Sequence, residues 1–346
     1  MKFSAYTTAL LEDIEARIDP YTEEELEARW NTFLAGEFDG DVFSPNRKKH
    51  SVPGIEVRQI NINDAIEDYE MMVNMQFAAV SASLASGGRV LSVRSNYGTG
   101  ILSTPFGAPL FMMSREANTL PTTRVVPIER LDEMLEAGLP DINAGLCGKV
   151  FDMAEIYAEI FDMYPKIRRY VHGYHPDTQG PVDIAELLFS DQLFYEMYDN
   201  PERLHAFLRL ICDEYIQVIE KWYSIIPAPE PNVHYGFFMK GGILLRDDSA
   251  MNLSPELYRE FGYPYDSMLL TRFGDGVVHF CGRGDHYIDI ITSCPALTGI
   301  NMSQPHLNDM EKIYSCTVDR GIPLFAFPKA YAEADIGRGF NGLMHV

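Results

Sequence analysis

From residue 88 to residue 346 the chain alternates short apolar runs, most of them ending in Gly, Asp, Ser or Pro, with longer amphipathic stretches. This alternation constrains the fold more than any single motif does. A parallel strand covered on both faces reads as a continuous apolar run, and the helix that crosses back to the next strand must show one apolar face. Strands are predicted at 89–93, 170–173, 242–245, 277–280, 297–302 and 323–326, with a last one near 342–346. Two of the intervening helices have clear start signals. Asn200-Pro201-Glu202 opens one with Leu204, Phe207, Leu208, Ile211, Tyr215 and Ile219 on one face, and Ser254-Pro255-Glu256 opens another.

Residues 1–85 read differently, as acidic helices: Thr22 is an N-cap candidate before Glu23, Glu24 and Glu25, and 64–84 has apolar residues at helical spacing. The methionines Met71, Met72 and Met75 on that stretch read as core packing. Ile226 to Pro231 holds too many prolines for a helix or a central strand and is read as a rigid connection. With no internal repeat, the expected fold is α/β: one (β/α)8 TIM barrel over residues 86–346, with an N-terminal helical extension over residues 1–85 packed on it.

Charge narrows the partners. With 28 Lys+Arg against 50 Asp+Glu the formal net charge is −22, which disfavours phosphate backbones and anionic lipid, so neither nucleic acid nor a membrane surface is expected. Five cysteines at irregular spacing, without a signal-peptide pattern or a long apolar stretch, point to a reduced, cytoplasmic protein. The many Tyr and Phe residues leave room for a homodimer.

In a parallel barrel the active-site face lies at the C-terminal ends of the strands. That rule selects the loops at 96–100, 174–180, 246–249, 279–285 and 301–305. His279 and Cys281 are two apart at a strand end, so their side chains share a face and offer an imidazole nitrogen and a thiolate to one metal ion. They are the predicted metal ligands. Asp248, or His345 from the last strand, are alternatives for a further ligand, while Cys294 and Cys316 fall on helices away from that face. The competing reading of His279 and Cys281 is a partly buried His beside a structural thiol.

Asp247 and Asp248 form a carboxylate pair in which one member is a candidate general acid or base. His175 is a third catalytic candidate. Tyr97, Asp177, Arg246, Arg283 and Gln304 are expected to bind the substrate, a small molecule. The 175–180 loop leads through Gly180-Pro181 into a helix start suited to an anion, against the alternative of a structural turn.

The run from Gly180-Pro181 into 183–188, the Asn200-Pro201-Glu202 helix, Leu253-Ser254-Pro255-Glu256-Leu257-Tyr258 with Pro264-Tyr265, and His279-Phe280-Cys281-Gly282 together resemble the uroporphyrinogen decarboxylase superfamily, over roughly residues 85–346. The resemblance implies a (β/α)8 barrel with its pocket on the C-terminal face. Its zinc-dependent, corrinoid-linked methyltransferase branch uses a His-x-Cys pair and a further Cys to hold zinc, which activates a substrate thiol. His279 and Cys281 match, whereas Leu324-Phe325-Ala326-Phe327-Pro328 contains no cysteine.

The decarboxylase branch has an Arg-Gln-Ala-Gly-Arg-like motif that pairs with substrate carboxylates. That motif is missing here, and Arg94 follows the first predicted strand directly. The expectation is therefore a zinc-dependent methyltransferase-like enzyme working with a corrinoid protein. The alternatives are metal-independent decarboxylation of a porphyrinogen or other carboxylate, and a non-catalytic corrinoid- or tetrapyrrole-binding protein with His279 as axial ligand.

Overall fold

The computed structural model describes residues 2–346. Helices and short strands alternate as the apolar runs predict. Strands lie at Ser92–Val93, His172–Gly173, Ile243–Arg246, Gly276–Phe280, Leu297–Met302 and Met344–His345, while the 323–326 run contributes Leu324 as a single bridge residue.

The pairings among these strands are parallel. Ile243–Arg246, Gly276–Phe280 and Leu297–Met302 form a three-stranded sheet, and Ser92–Val93 pairs with His172–Gly173. Single bridges extend this order: Gln179 to Arg246 on one side, Ile300 to Leu324 to Met344 on the other. The sheets are small, and among the described residues their hydrogen-bonded ladders do not close into a ring. At the seam the Val90 amide bonds Gly236 O at 2.8 Å instead of a strand partner.

Gly236 belongs to a hairpin that the proline-rich stretch concealed. Asn232–His234 pairs antiparallel with Phe237–Met239 around Tyr235 and Gly236, both at positive φ (46° and 80°), as a two-residue hairpin turn requires. Phe237, Phe238 and Met239 pack with Leu244, Val277 and Phe325 of the sheet and with Trp30 and Phe33 in a distinct core. The opposite side chains of the sheet, Ile243, Leu245, Val278 and Phe280, join the larger core with the helices. This alternation along each strand decides the location of chemistry. Arg246 and His279, two residues beyond Leu244 and Val277, share the inner face of the sheet.

The N-terminal part is mainly helical but not wholly so. Val42–Phe43 forms a strand that pairs with Met344–His345. The helix placed at 64–84 is two, Ile62–Glu67 and Tyr69–Ala85, with Asp68 capping the second through Met71 N–H. Met72 is fully buried in the core, and Met71 and Met75 pack against it. Asp19, not Thr22, caps the Pro20–Leu34 helix by accepting the Thr22 amide. The Pro at the first helical position sets that start one turn earlier than the run of glutamates suggests.

The helix from Asn200-Pro201 runs over Pro201–Ile225. The one opened by Ser254, whose hydroxyl accepts Leu257 N–H at 3.2 Å, passes through a widened turn at Tyr258–Gly262 into Tyr263–Arg272. Among the described residues no helix is long and apolar enough to cross a membrane.

Candidate metal centre

Arg246, His279 and Asn301 stand opposite one another on three adjacent strands, at their C-terminal ends. Neighbours in such a row point to the same side, and His279 Nδ1 meets Asn301 Oδ1 at 2.6 Å. Asn301 is itself fixed, because its Nδ2 donates to Phe325 O at 2.7 Å. Its oxygen therefore faces the ring, so Nδ1 carries the proton and Nε2 presents a lone pair.

That lone pair faces two further donors. Nε2 lies 3.4 Å from Cys281 Sγ and 3.6 Å from Asp248 Oδ1, and the three ligand atoms all fall within 4.8 Å of one another. A tetrahedral ion with usual zinc bond lengths would set sulfur–nitrogen and nitrogen–oxygen edges of about 3.6 and 3.4 Å. The two spacings from Nε2 are close to those edges.

Backbone chemistry brings the three together. Cys281 N–H donates to Asp248 Oδ1 at 2.6 Å, tying the loop after one strand to the loop after its neighbour. Gly282 follows at φ +76°, where a Cβ would lie 2.6 Å from Met251 Sδ, so the glycine of the His-x-Cys-Gly run is needed for this turn. Gln304 Oε1 accepts the Gly282 amide, and Asn308 Oδ1 accepts those of Gly284 and Asp285 at 2.7 and 3.0 Å. Burial, with Arg246 nearby, holds the His279 imidazole below its ordinary pKa, and burial pushes the Cys281 thiol up.

Of the open choices for a further ligand, the structure brings Asp248 to the pair. His345 lies elsewhere: its Nδ1 accepts Ala326 N–H at 2.9 Å and its ring packs 4.5 Å from Trp30. Cys294 and Cys316 are buried outside the group.

The two adjacent aspartates point to different neighbours. Successive side chains on extended backbone diverge, and Asp247 turns inward to Asp266, whose Oδ2 accepts the Tyr258 hydroxyl at 2.9 Å. Burial, and then Asp266, push the Asp247 carboxyl well above the ordinary range. Only 1% exposed, it is a buried acid that does not line the cavity beside the site. Its place by the cavity is taken by Asp183, which sequence spacing did not reveal. Asp183 accepts the amides of Asp248 and Ser249 at 3.1 and 2.6 Å.

His175 is buried, with both ring nitrogens held by backbone. Nδ1 donates to Pro176 O at 2.8 Å and Nε2 accepts Leu244 N–H at 2.9 Å, leaving neither nitrogen free, and burial holds the ring down to about 4. Asp177 is buried between Arg94 and Arg246, with Arg246 Nη2 at 2.6 Å and the Tyr235 hydroxyl at 3.0 Å. Burial raises its pKa, but the two guanidiniums outweigh that effect and the net shift is downward. Both arginines thus have an internal counter-charge. Tyr97 is wholly buried under Lys149. Arg283 is exposed and pairs with Asp285 at 2.7 Å.

A cavity of about 330 Å³ adjoins the triad through Asp248 and is bounded by Thr99, Thr123, Gln179, Asp183, Glu186 and Ser249 among others. The Pro181–Phe189 helix supplies two of its acids, Asp183 and Glu186. This wall disfavours the anion that Gly180-Pro181 suggested in the sequence.

The chain is similar in structure to a methyltransferase from Methanosarcina mazei, with a TM-score of 0.61 and 17% identity, over 92% of this chain and 91% of the other. At that identity the likeness is one of fold. No family model and no curated protein sequence matches the chain.

Proposed function

We propose that the protein is a methyltransferase-like enzyme of the uroporphyrinogen decarboxylase superfamily, an irregular (β/α)8 barrel that holds zinc through Asp248, His279 and Cys281 and methylates a small thiol with a corrinoid protein as partner. One observation carries the reading: three donors of zinc-binding type converge at the strand ends, the number that a catalytic zinc takes from its protein. The fold of the Methanosarcina mazei methyltransferase supports it.

Bound there, zinc stabilises the deprotonated form of a thiol and so supplies a nucleophile at neutral pH. Asn301 keeps the His279 proton on Nδ1 so that Nε2 remains a ligand. The Ser303 hydroxyl, 3.4 Å from Cys281 Sγ, can donate to that sulfur as a thiolate. The cavity wall orients the tail of the thiol. A methylated corrinoid on the partner would supply the methyl group, while in this chain Asp248, His279 and Cys281 would hold the ion that binds the acceptor sulfur and the thiol proton would pass to solvent.

Porphyrinogen decarboxylation is less well supported, because Arg94 and Arg246 are both tied to Asp177 and the cavity beside the triad is walled by acids, not by arginines. The axial-ligand reading also loses ground, since His279 Nε2 is directed at Cys281 and Asp248. The test uses untagged protein, assayed for zinc and for methyl transfer from a methylated corrinoid to a thiol. The expected result is about one zinc per chain and transfer that is lost, together with the metal, in Cys281→Ala. Transfer that persists in metal-free protein would overturn the reading.

A further inference from the structure

The cavity beside the triad combines two independent features. Its wall has three carboxylates, Asp183, Glu186 and Asp248, and among the described residues no Lys, Arg or His lines it. Glu186, half-buried, has no cationic partner among the described residues; its one contact is a 3.4 Å hydrogen bond from Asn252 Nδ2. The second feature is Gln179. It lines the same cavity, is only 4% exposed, and its side-chain amide makes no hydrogen bond among the described residues. Its amide is open to the cavity and offers an oxygen acceptor to a polar ligand there.

The two features select a ligand by charge. With a divalent ion held by Asp248 and the Cys281 thiolate, those three charges cancel, and Asp183 and Glu186 still line the cavity with no cationic partner among the described residues. An anionic tail such as a carboxylate or sulfonate would meet Glu186 with no counter-charge. An ammonium group, with N–H donors alone, matches carboxylate and amide oxygens together.

We infer that the thiol accepted at this site has a protonated amine on its tail, bound between Glu186 and Gln179. This rests on the zinc–thiol reading above and adds the class of thiol to it. The volume of about 330 Å³ suits a short aminothiol or a small cysteinyl amine.

The test loads the full chain with Co(II) in place of zinc and titrates it with cysteamine, 2-mercaptoethanol and 3-mercaptopropionate, reading the sulfur-to-cobalt absorption band. Cysteamine should bind at least about tenfold more tightly than 3-mercaptopropionate. The preference should vanish in Glu186→Gln, whose circular dichroism and cobalt content serve as controls for folding and loading. Equal binding of the three thiols, or a preference for the carboxylate, would overturn the inference and leave the metal centre standing. Failure of the wild-type chain to retain cobalt or zinc would instead overturn the reading on which it rests.

Discussion

Asn301 is the residue whose role is most open to measurement at the scale of single side chains. It touches none of the proposed metal's other ligands, yet it sets which His279 nitrogen bears the proton. Outer partners of this kind are typically worth 10–100-fold in metal affinity. Asn301→Ala is therefore expected to weaken zinc binding by about that factor in a competition titration with a chelator, while thermal unfolding of the metal-free protein changes much less. A second residue tests burial alone. Glu214 is fully buried on the Pro201–Ile225 helix, neither carboxylate oxygen has a hydrogen-bond partner, and desolvation pushes its pKa well above 4.5. A carboxyl raised in the folded state contributes stability that is fully present below the unfolded value and is lost as pH rises toward the folded one. Relative to wild type, Glu214→Gln should gain in melting temperature as pH goes from 5 to 8. A difference independent of pH would show that Glu214 is charged in the folded protein.

Among the elements, the Asn232–Met239 hairpin does most to shape the molecule. It fills the inner face of the sheet below His279 and takes up the Val90 amide where a closing strand would lie. Phe237, buried and stacked on Phe325 with ring centroids 5.1 Å apart, is its anchor. Phe237→Ala should cost about 3–5 kcal/mol in urea unfolding, and a loss under 1 kcal/mol would mean that the hairpin is not part of this core. The hairpin also marks where sequence reading stops. Strands at 277–280 and 297–302 were legible because their apolar runs are uninterrupted and end in polar clusters. Tyr235-Gly236 lacks the Asn-Gly or Asp-Gly chemistry that announces such a turn, and three prolines just before it suggest no sheet at all. At the site, His279 and Cys281 could be paired from their spacing of two, and Asp248 could be named as a candidate. Only the register of neighbouring strands separates Asp248 from His345 and turns Asp247 away from it. Asp183 and Gln179 sit where a bridge between distant segments places them, which no local pattern encodes.

At the scale of the whole molecule, 28 basic against 50 acidic residues leave a net charge of −22 on one chain. Charge of one sign repels itself across the surface, and salt screens it over a Debye length of about 8 Å at physiological ionic strength. Raising NaCl from 10 to 150 mM should therefore raise the melting temperature, and a fall would mean that attractive ion pairs outweigh the excess. For the proposed corrinoid partner, the same excess makes a basic face the favourable one. All of the proposed chemistry nonetheless depends on three atoms at the ends of adjacent strands. The most direct measurement is X-ray absorption at the zinc edge on untagged, zinc-loaded protein. The zinc shell should hold one sulfur at about 2.3 Å and two or three nitrogen or oxygen ligands at about 2.0–2.2 Å. The sulfur should disappear in Cys281→Ser. A shell without sulfur in the wild-type protein, or a protein that retains no zinc, would contradict a zinc centre built on these residues.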